Sequence, residues 1–235
     1  MLEIPRDETF RQILVALDDS SHSQAALKSA VSFAKRFDAH LKALFVEDIN
    51  LHKAASVQTL QEINALTGEV RTVRREYISV QLGRISKRLR RLLEFIGRQT
   101  GIEYSFTSIK GDIEQTLLEH ARHSEVDLLA LGRMSRRIGR CGEIGTTAGC
   151  IIENLDKPVL ILNREAHLGN SVSLIYHSGE PQERLLELAE QILSRYSSKL
   201  AIVSTSSKKD IEHDDDFSSF IDRITAMGIP HRIIE

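Results

Sequence analysis

What this 235-residue chain lacks excludes most catalytic and membrane classes. It has two cysteines, Cys141 and Cys150, too few for a disulfide framework and suited to a reducing compartment. No apolar run is long enough to span a bilayer. The N-terminal Met1-Leu-Glu-Ile-Pro-Arg-Asp-Glu8 lacks the basic and apolar regions of a secretion signal, so the expected address is cytoplasmic, without a membrane partner. Charged residues make up 27% of the chain, yet the formal net charge is only -2, so the whole-molecule field gives no attraction for nucleic acid. There is no nucleophile elbow, no phosphate loop ending in lysine and no histidine–carboxylate arrangement, so no catalytic residue is assigned. His120 and His123 fall close together on one helix, but no third ligand accompanies them and no metal site is expected.

What is present is an alternation of buried strands and amphipathic helices. Ile13-Leu-Val-Ala-Leu17 is a continuous apolar run of the kind shown by a strand buried on both faces, and Ser21-x-x-Gln24 reads as a capping box for the next helix. Ala26, Leu27, Ala30, Val31, Ala34 and Phe37 then recur at helical spacing. Leu41–Val46 is a second strand, followed by an irregular segment near Asn50–Ser56 and a weak helical stretch near Val57–Leu66. A long helix is expected from about Glu69 to Gln99, with a kink near Gly83 and an apolar stripe of Val70, Val73, Ile78, Leu82, Ile85, Leu89, Leu92 and Ile96. Its arginines fit a solvated outer face, with a docking surface for an acidic partner or nucleic acid as the alternative. Strands at Ile102–Ile109, Val126–Leu131 and Pro158–Leu162 alternate with helices at Asp112–His123 and Gly145–Leu155. The pattern predicts a doubly wound α/β fold with a parallel five-stranded sheet, whose ligands sit beyond the carboxyl ends of the strands.

Chemistry concentrates between the last two of those strands. Asp127-Leu-Leu-Ala-Leu-Gly132 leads into a loop containing Arg133, Ser135, Arg136, Arg137, Arg140 and Cys141, and a helix then opens at Gly145-Thr146-Thr147. A helix start leaves backbone N–H groups without partners and carries about half a positive charge, so it can accept a phosphate. Gly132, Gly139, Gly142 and Gly145 can take positive φ, the threonines add hydroxyl donors, and the arginines offer bidentate donors. Cys150, among Ala148, Ile151 and Ile152, reads as a small core residue, and Cys141 beside the arginines as a thiol of lowered pKa.

Gly132-x2-Ser135-x9-Gly145-Thr146 resembles the G-x2-G-x9-G-[ST] nucleotide loop of the ATP-binding universal stress proteins. Ile13–Asp18 with its following serines, Gly111-Asp112, and Val126–Gly132 occur in the order of that family's strands, over roughly residues 10–164. The resemblance implies an adenine-nucleotide α-hydrolase-like fold and a site of Asp18, Val46, Gly132, Arg133, Ser135, Gly145, Thr146 and Thr147. That site would hold ATP, or ADP or AMP, with Mg2+ as a possible companion. Asp18 would accept from ribose or adenine, and Val46 would contact the base or serve as core. Asp19, standing where glycine is common, reads as a turn cap, and Ser135 stands where a second glycine is usual. The implied role is a stress-response switch that acts through a protein partner, as a homodimer and without being an enzyme beyond slow ATP hydrolysis. The alternative is a stress-protein-like interaction module that holds no nucleotide.

Residues 1–165 form the expected first domain, and residues 170–235 an incomplete echo of it. Val172–Tyr176, Leu200–Val203 and Ile229–Ile234 are strand candidates. Helices are expected at Pro181–Tyr196, with Leu185, Leu188, Ile192 and Tyr196 facing inward, and at Phe217–Met227, with a charged linker at Lys208–Asp216. No second glycine loop follows, and His177-Ser178 stands where Asp18-Asp19 would repeat.

Overall fold

A computed structural model of the chain describes residues 10–56, 61–63, 67–72, 75–132, 145–162, 171–176, 183–196, 199–204 and 214–234. The chain divides into two compact units, Met1–Ala166 and His167–Glu235. In the first, β1 (Gln12–Leu17), β2 (His40–Asp48), β5 (Tyr104–Gly111), β6 (Leu128–Gly132) and β7 (Val159–Leu162) form one sheet in the order β5-β2-β1-β6-β7, with every pairing parallel. The chain works outward from β1 to β5, then returns to the other side of β1 for β6 and β7. Strand order therefore reverses between β1 and β6, and Ile13 pairs directly with Leu128.

Helix α1 (Ser21–Phe37) packs beside α3 (Arg75–Thr100), and α4 (Ile113–Arg122) beside α5 (Thr146–Asn154). Because strand side chains alternate between faces, Leu14, Leu44, Val46, Leu129 and Leu131 join Leu117, Ala148 and Ile151 in the core under α4 and α5. The intervening Ile13, Val15, Ala43, Phe45 and Ala130 are also buried, as a sheet covered on both faces requires. All six apolar positions expected inside α1 are buried. Asp127 closes the amino-terminal edge of the sheet, its carboxylate accepting from the backbone N–H groups of Arg11 at 2.8 Å and Gln12 at 2.9 Å.

Several local expectations change. The cap of α1 is Ser20, one residue before the expected Ser21: its hydroxyl accepts from the Ser23 N–H at 3.0 Å. The segment after β2 is a short helix, α2 (Ile49–Ala54), opened by Asp48. The helix expected to begin near Glu69 begins at Arg75. Before it, β3 (Gln61–Ile63) pairs antiparallel with β4 (Val70–Thr72), where a helical stretch was expected around residues 57–66. Gly68, at φ +70°, turns the chain between these strands, and β-branched Val70 and Thr72 suit the extended conformation. Helix α3 then runs without interruption through Gly83, burying Leu82, Leu89 and Leu93, with Ile78, Ile85, Leu92 and Ile96 half-buried.

The second unit carries β8 (Ser171–Tyr176), β9 (Lys199–Ser204) and β10 (His231–Ile234) in the order β10-β9-β8, all parallel, the same outward progression as β5-β2-β1. Its core joins Leu174, Tyr176, Leu200 and Ile202 to α6 (Glu183–Tyr196) and α7 (Asp215–Ala226). The most buried face of α6 is Leu186, Ala189, Leu193 and Tyr196, shifted by one position from that expected except at Tyr196; Leu188 and Ile192 are half-buried and Leu185 is 37% exposed. The shift costs no amphipathicity, because leucines occupy both Leu185 and Leu186. Helix α7 starts inside the expected linker, with Asp214 as its cap.

Candidate functional site

At the carboxyl ends of β1, β2 and β6 lies a cavity of about 420 Å3. Three elements of the sheet contribute Ala16–Ser20, Leu44–Val46 with Asp48, and Leu131-Gly132; the helices contribute Leu82 and Ile85 from α3, Ile113 and Leu117 from α4, and Gly145, Thr147 and Ala148 around the start of α5. This is the crevice that a reversal of strand order opens, because the connections leaving β1 and β6 go to opposite faces of the sheet. Its interior is mostly apolar and its polar groups cluster at the strand ends, the usual distribution in small-molecule pockets.

Asp18 ends β1. Its Oδ1 accepts from the Ser20 N–H at 2.9 Å, while its own N–H donates to the Ser23 hydroxyl at 2.8 Å. Asp18, not Asp19, therefore caps this turn. Its Oδ2 makes no hydrogen bond among the described residues, and Asp18 lines the cavity. Asp19 instead forms an ion pair with Arg88 of α3. Nothing in the sequence spacing announces that contact, since α3 reaches β1 only through the tertiary fold. Arg90, another of the α3 cations, lies 5.0 Å over the Phe106 ring. Arg84, Lys87, Arg88, Arg90, Arg91 and Arg98 are all exposed, as expected of a solvated outer face, and Arg88 and Arg90 make these two contacts from it.

Val46 is 8% exposed, belongs to the core under α4 and α5, and also lines the cavity, so the two readings of this residue coexist. Gly132 lines the cavity as well. It does not take positive φ; a Cβ there would come within 3.3 Å of the His22 backbone, so glycine eases the close approach of β6 to the start of α1. Gly145 caps α5 at φ -60° and ψ 152°, again without positive φ, and offers no side-chain cap. The first intrahelical N–H is that of Gly149, which bonds to Gly145 O at 2.9 Å, so the N–H groups of Thr146, Thr147 and Ala148 lack helical partners.

The two threonines part company. Thr147 lines the cavity, but its hydroxyl donates to Glu114 Oε1 of α4 at 2.9 Å instead of standing free for an anion. Thr146 is exposed and lies outside the cavity lining. Arg133, Ser135 and Cys141 lie outside the described residues, as do Arg136, Arg137, Gly139, Arg140 and Gly142. Cys150 is half-buried, not a core residue, with its carbonyl taken by Asn154 at 2.8 Å. His120 turns back onto its own helix, its Nδ1 lying 2.9 Å from the Thr116 carbonyl. Among the described residues no group of three histidine, cysteine or acidic side chains is placed to hold a metal ion.

Sequence reasoning missed Asp48, Glu114 and the α3 and α4 walls of the cavity. Asp48 had one visible signal, an acidic residue ending the strand beside β1. Leu82, Ile85 and Leu117 carried none beyond helical periodicity, which marks burial without saying against what.

A doubly wound parallel sheet with a cavity at its reversal point defines the class, an α/β protein whose cavity opens above the strand ends. A sequence model described as the universal stress protein family matches residues 9–163, and the chain belongs to that family. It is similar to a universal stress protein of Methanocaldococcus jannaschii, 21% identical over 158 residues that span 67% of this chain and 85% of the relative. Among solved structures, it is similar to the universal stress protein UspA from Lactobacillus plantarum, with 22% identity, a TM-score of 0.50 and coverage of 66% of this chain and 99% of that one. A universal stress protein from Archaeoglobus fulgidus aligns over 94% of this chain and 76% of its own, with a TM-score of 0.67 and 17% identity, so the likeness in fold extends across both units. No described helix is long and apolar enough to cross a membrane.

Proposed function

We propose that this universal stress protein binds ATP or a related adenine nucleotide in the cavity between β1 and β6, and that occupancy governs its interaction with a protein partner. The supporting observation is that Asp18, Val46, Gly132, Gly145 and Thr147, scattered over some 130 positions of sequence, meet around one mostly apolar cavity of about 420 Å3. In this reading the base lies against Val46 and the apolar walls, and Asp18 Oδ2 accepts from a ribose hydroxyl. The phosphates meet the N–H groups that open α5, joined by Arg133 and Ser135 from the segment following β6, with Mg2+ as their counterion where it binds. No step of covalent chemistry is assigned. We place the function in the cytoplasm and in a homodimer, and take the second unit as a degenerate stress-protein-like unit without nucleotide residues.

The test is mass spectrometry of nucleotide released from purified, denatured protein, with calorimetric titration of ATP into wild type and Gly145→Asp. Released or titrated nucleotide that disappears in the variant supports the reading. A folded wild type that binds no adenine nucleotide refutes it. One observation favours the second reading, an interaction module without nucleotide: the charged residues among the described cavity lining, Asp18, Asp19 and Asp48, are all acidic, and Arg88, which pairs with Asp19, is not part of that lining.

A further inference from the structure

The start of α5 already faces an anion. Glu114, on the second residue of α4, brings a carboxylate oxygen within 2.9 Å of the Thr147 hydroxyl in the first turn of α5. Thr147 itself lines the cavity, and the three carboxylates of Asp18, Asp19 and Asp48 line its other walls. Arg88 is the one described cation drawn to this set, and it pairs with Asp19. Glu114, which stands behind Thr147 and outside the cavity lining, therefore sets a negative charge against the field of the helix start that an incoming phosphate would meet, and it repels each further negative charge that the ligand adds.

We propose that Glu114 sets the charge preference of the site, favouring an adenine nucleotide with one phosphate over one with three. This rests on the nucleotide reading above. The effect is differential: whatever the absolute affinity, a carboxylate beside the phosphate end penalises a triphosphate more than a monophosphate, and does not touch adenosine.

The experiment is calorimetric titration of the full chain with adenosine, AMP and metal-free ATP, in wild type, Glu114→Gln, Glu114→Ala and Glu119→Gln. Glutamine keeps the shape and an acceptor for Thr147 while removing the charge. Glu119 lies on the same helix, exposed and bonded to Gln115 at 2.9 Å, so its variant carries the same change in net charge at a remote position. The expected result is that both Glu114 variants shift the ratio of ATP to AMP affinity toward ATP by roughly three- to tenfold, the scale of one partly screened like-charge repulsion. Adenosine affinity and the Glu119→Gln ratio should stay at the wild-type level. An unchanged ratio in Glu114 variants that bind both nucleotides overturns the proposal and leaves the nucleotide reading intact, as does an equal shift in Glu119→Gln. Absence of binding by every ligand to folded wild type removes the nucleotide reading, and this inference with it.

Discussion

Residues in this fold carry roles that their chemical type does not announce. Gly132 suits a phosphate loop by reputation, yet its backbone is ordinary and what it provides is room, since a side chain would meet the His22 backbone. Gly132→Val should therefore displace the start of α1 and destabilise the protein by about 2 kcal/mol, the scale of an overpacked core, as read from urea unfolding. Asp127, an acidic residue within an apolar motif, ties the N–H groups of Arg11 and Gln12 to the start of β6, at the end of the strands remote from the cavity. Asp127→Ala should cost about 1–3 kcal/mol through two lost charge-assisted bonds, with nucleotide affinity unchanged. A measured loss of affinity at equal stability would contradict that assignment.

Among the elements, β8 and α7 are joined by a defined polar contact. The Tyr176 hydroxyl donates to Asp214 Oδ2 at 2.6 Å, while Oδ1 of the same carboxylate accepts from the Phe217 N–H at 3.1 Å and caps α7. Burial, then the bond and proximity to Asp214, hold the Tyr176 phenol above the ordinary tyrosine range. Because the folded value is the raised one, this stabilisation is complete below the unfolded pKa of about 10 and is lost as pH climbs beyond it. Tyr176→Phe should lower stability at neutral pH by about 1–2 kcal/mol and flatten the decline of stability above pH ~10. A variant whose alkaline unfolding matches the wild-type curve would refute the contact. The same scale explains the segment before α3: β-branched Val70 and Thr72 beside a left-handed Gly68 pair as strands, and a helical period laid over residues 69–74 could not register that competition.

At the scale of the whole molecule, two separate cores imply two folding units. The first packs Leu14, Leu44, Leu129 and Ile151 between its sheet and helices, and the second packs Leu174, Leu193, Ile202 and Phe220 around three strands. A chain comprising residues 1–166 should fold cooperatively by itself and reproduce the amide spectrum of that unit in the intact protein. Broad, collapsed resonances from that chain would show that its core depends on the second unit. In the second unit, Ile175 pairs with Val203 and Val203 with Ile234, forming an apolar row across the sheet in which Ile175 is 68% exposed. In the first unit the corresponding face is covered by α4 and α5.

The five strands, their parallel pairing and the helices between them were legible because burial on both faces writes a continuous apolar run and amphipathic packing writes a helical one. The glycine and threonine positions after β6 were legible because a helix start has few chemical forms. The sequence by itself thus determined the fold class, the family and the strand ends at which the cavity opens. Only the tertiary structure decided which side chains face one another there: Arg88 with Asp19, Glu114 with Thr147, and Asp18 with the turn it was expected to leave to Asp19. The physical reason is that periodicity records how deeply a residue is buried, whereas an ion pair or a hydrogen bond depends on distances between elements far apart in the chain.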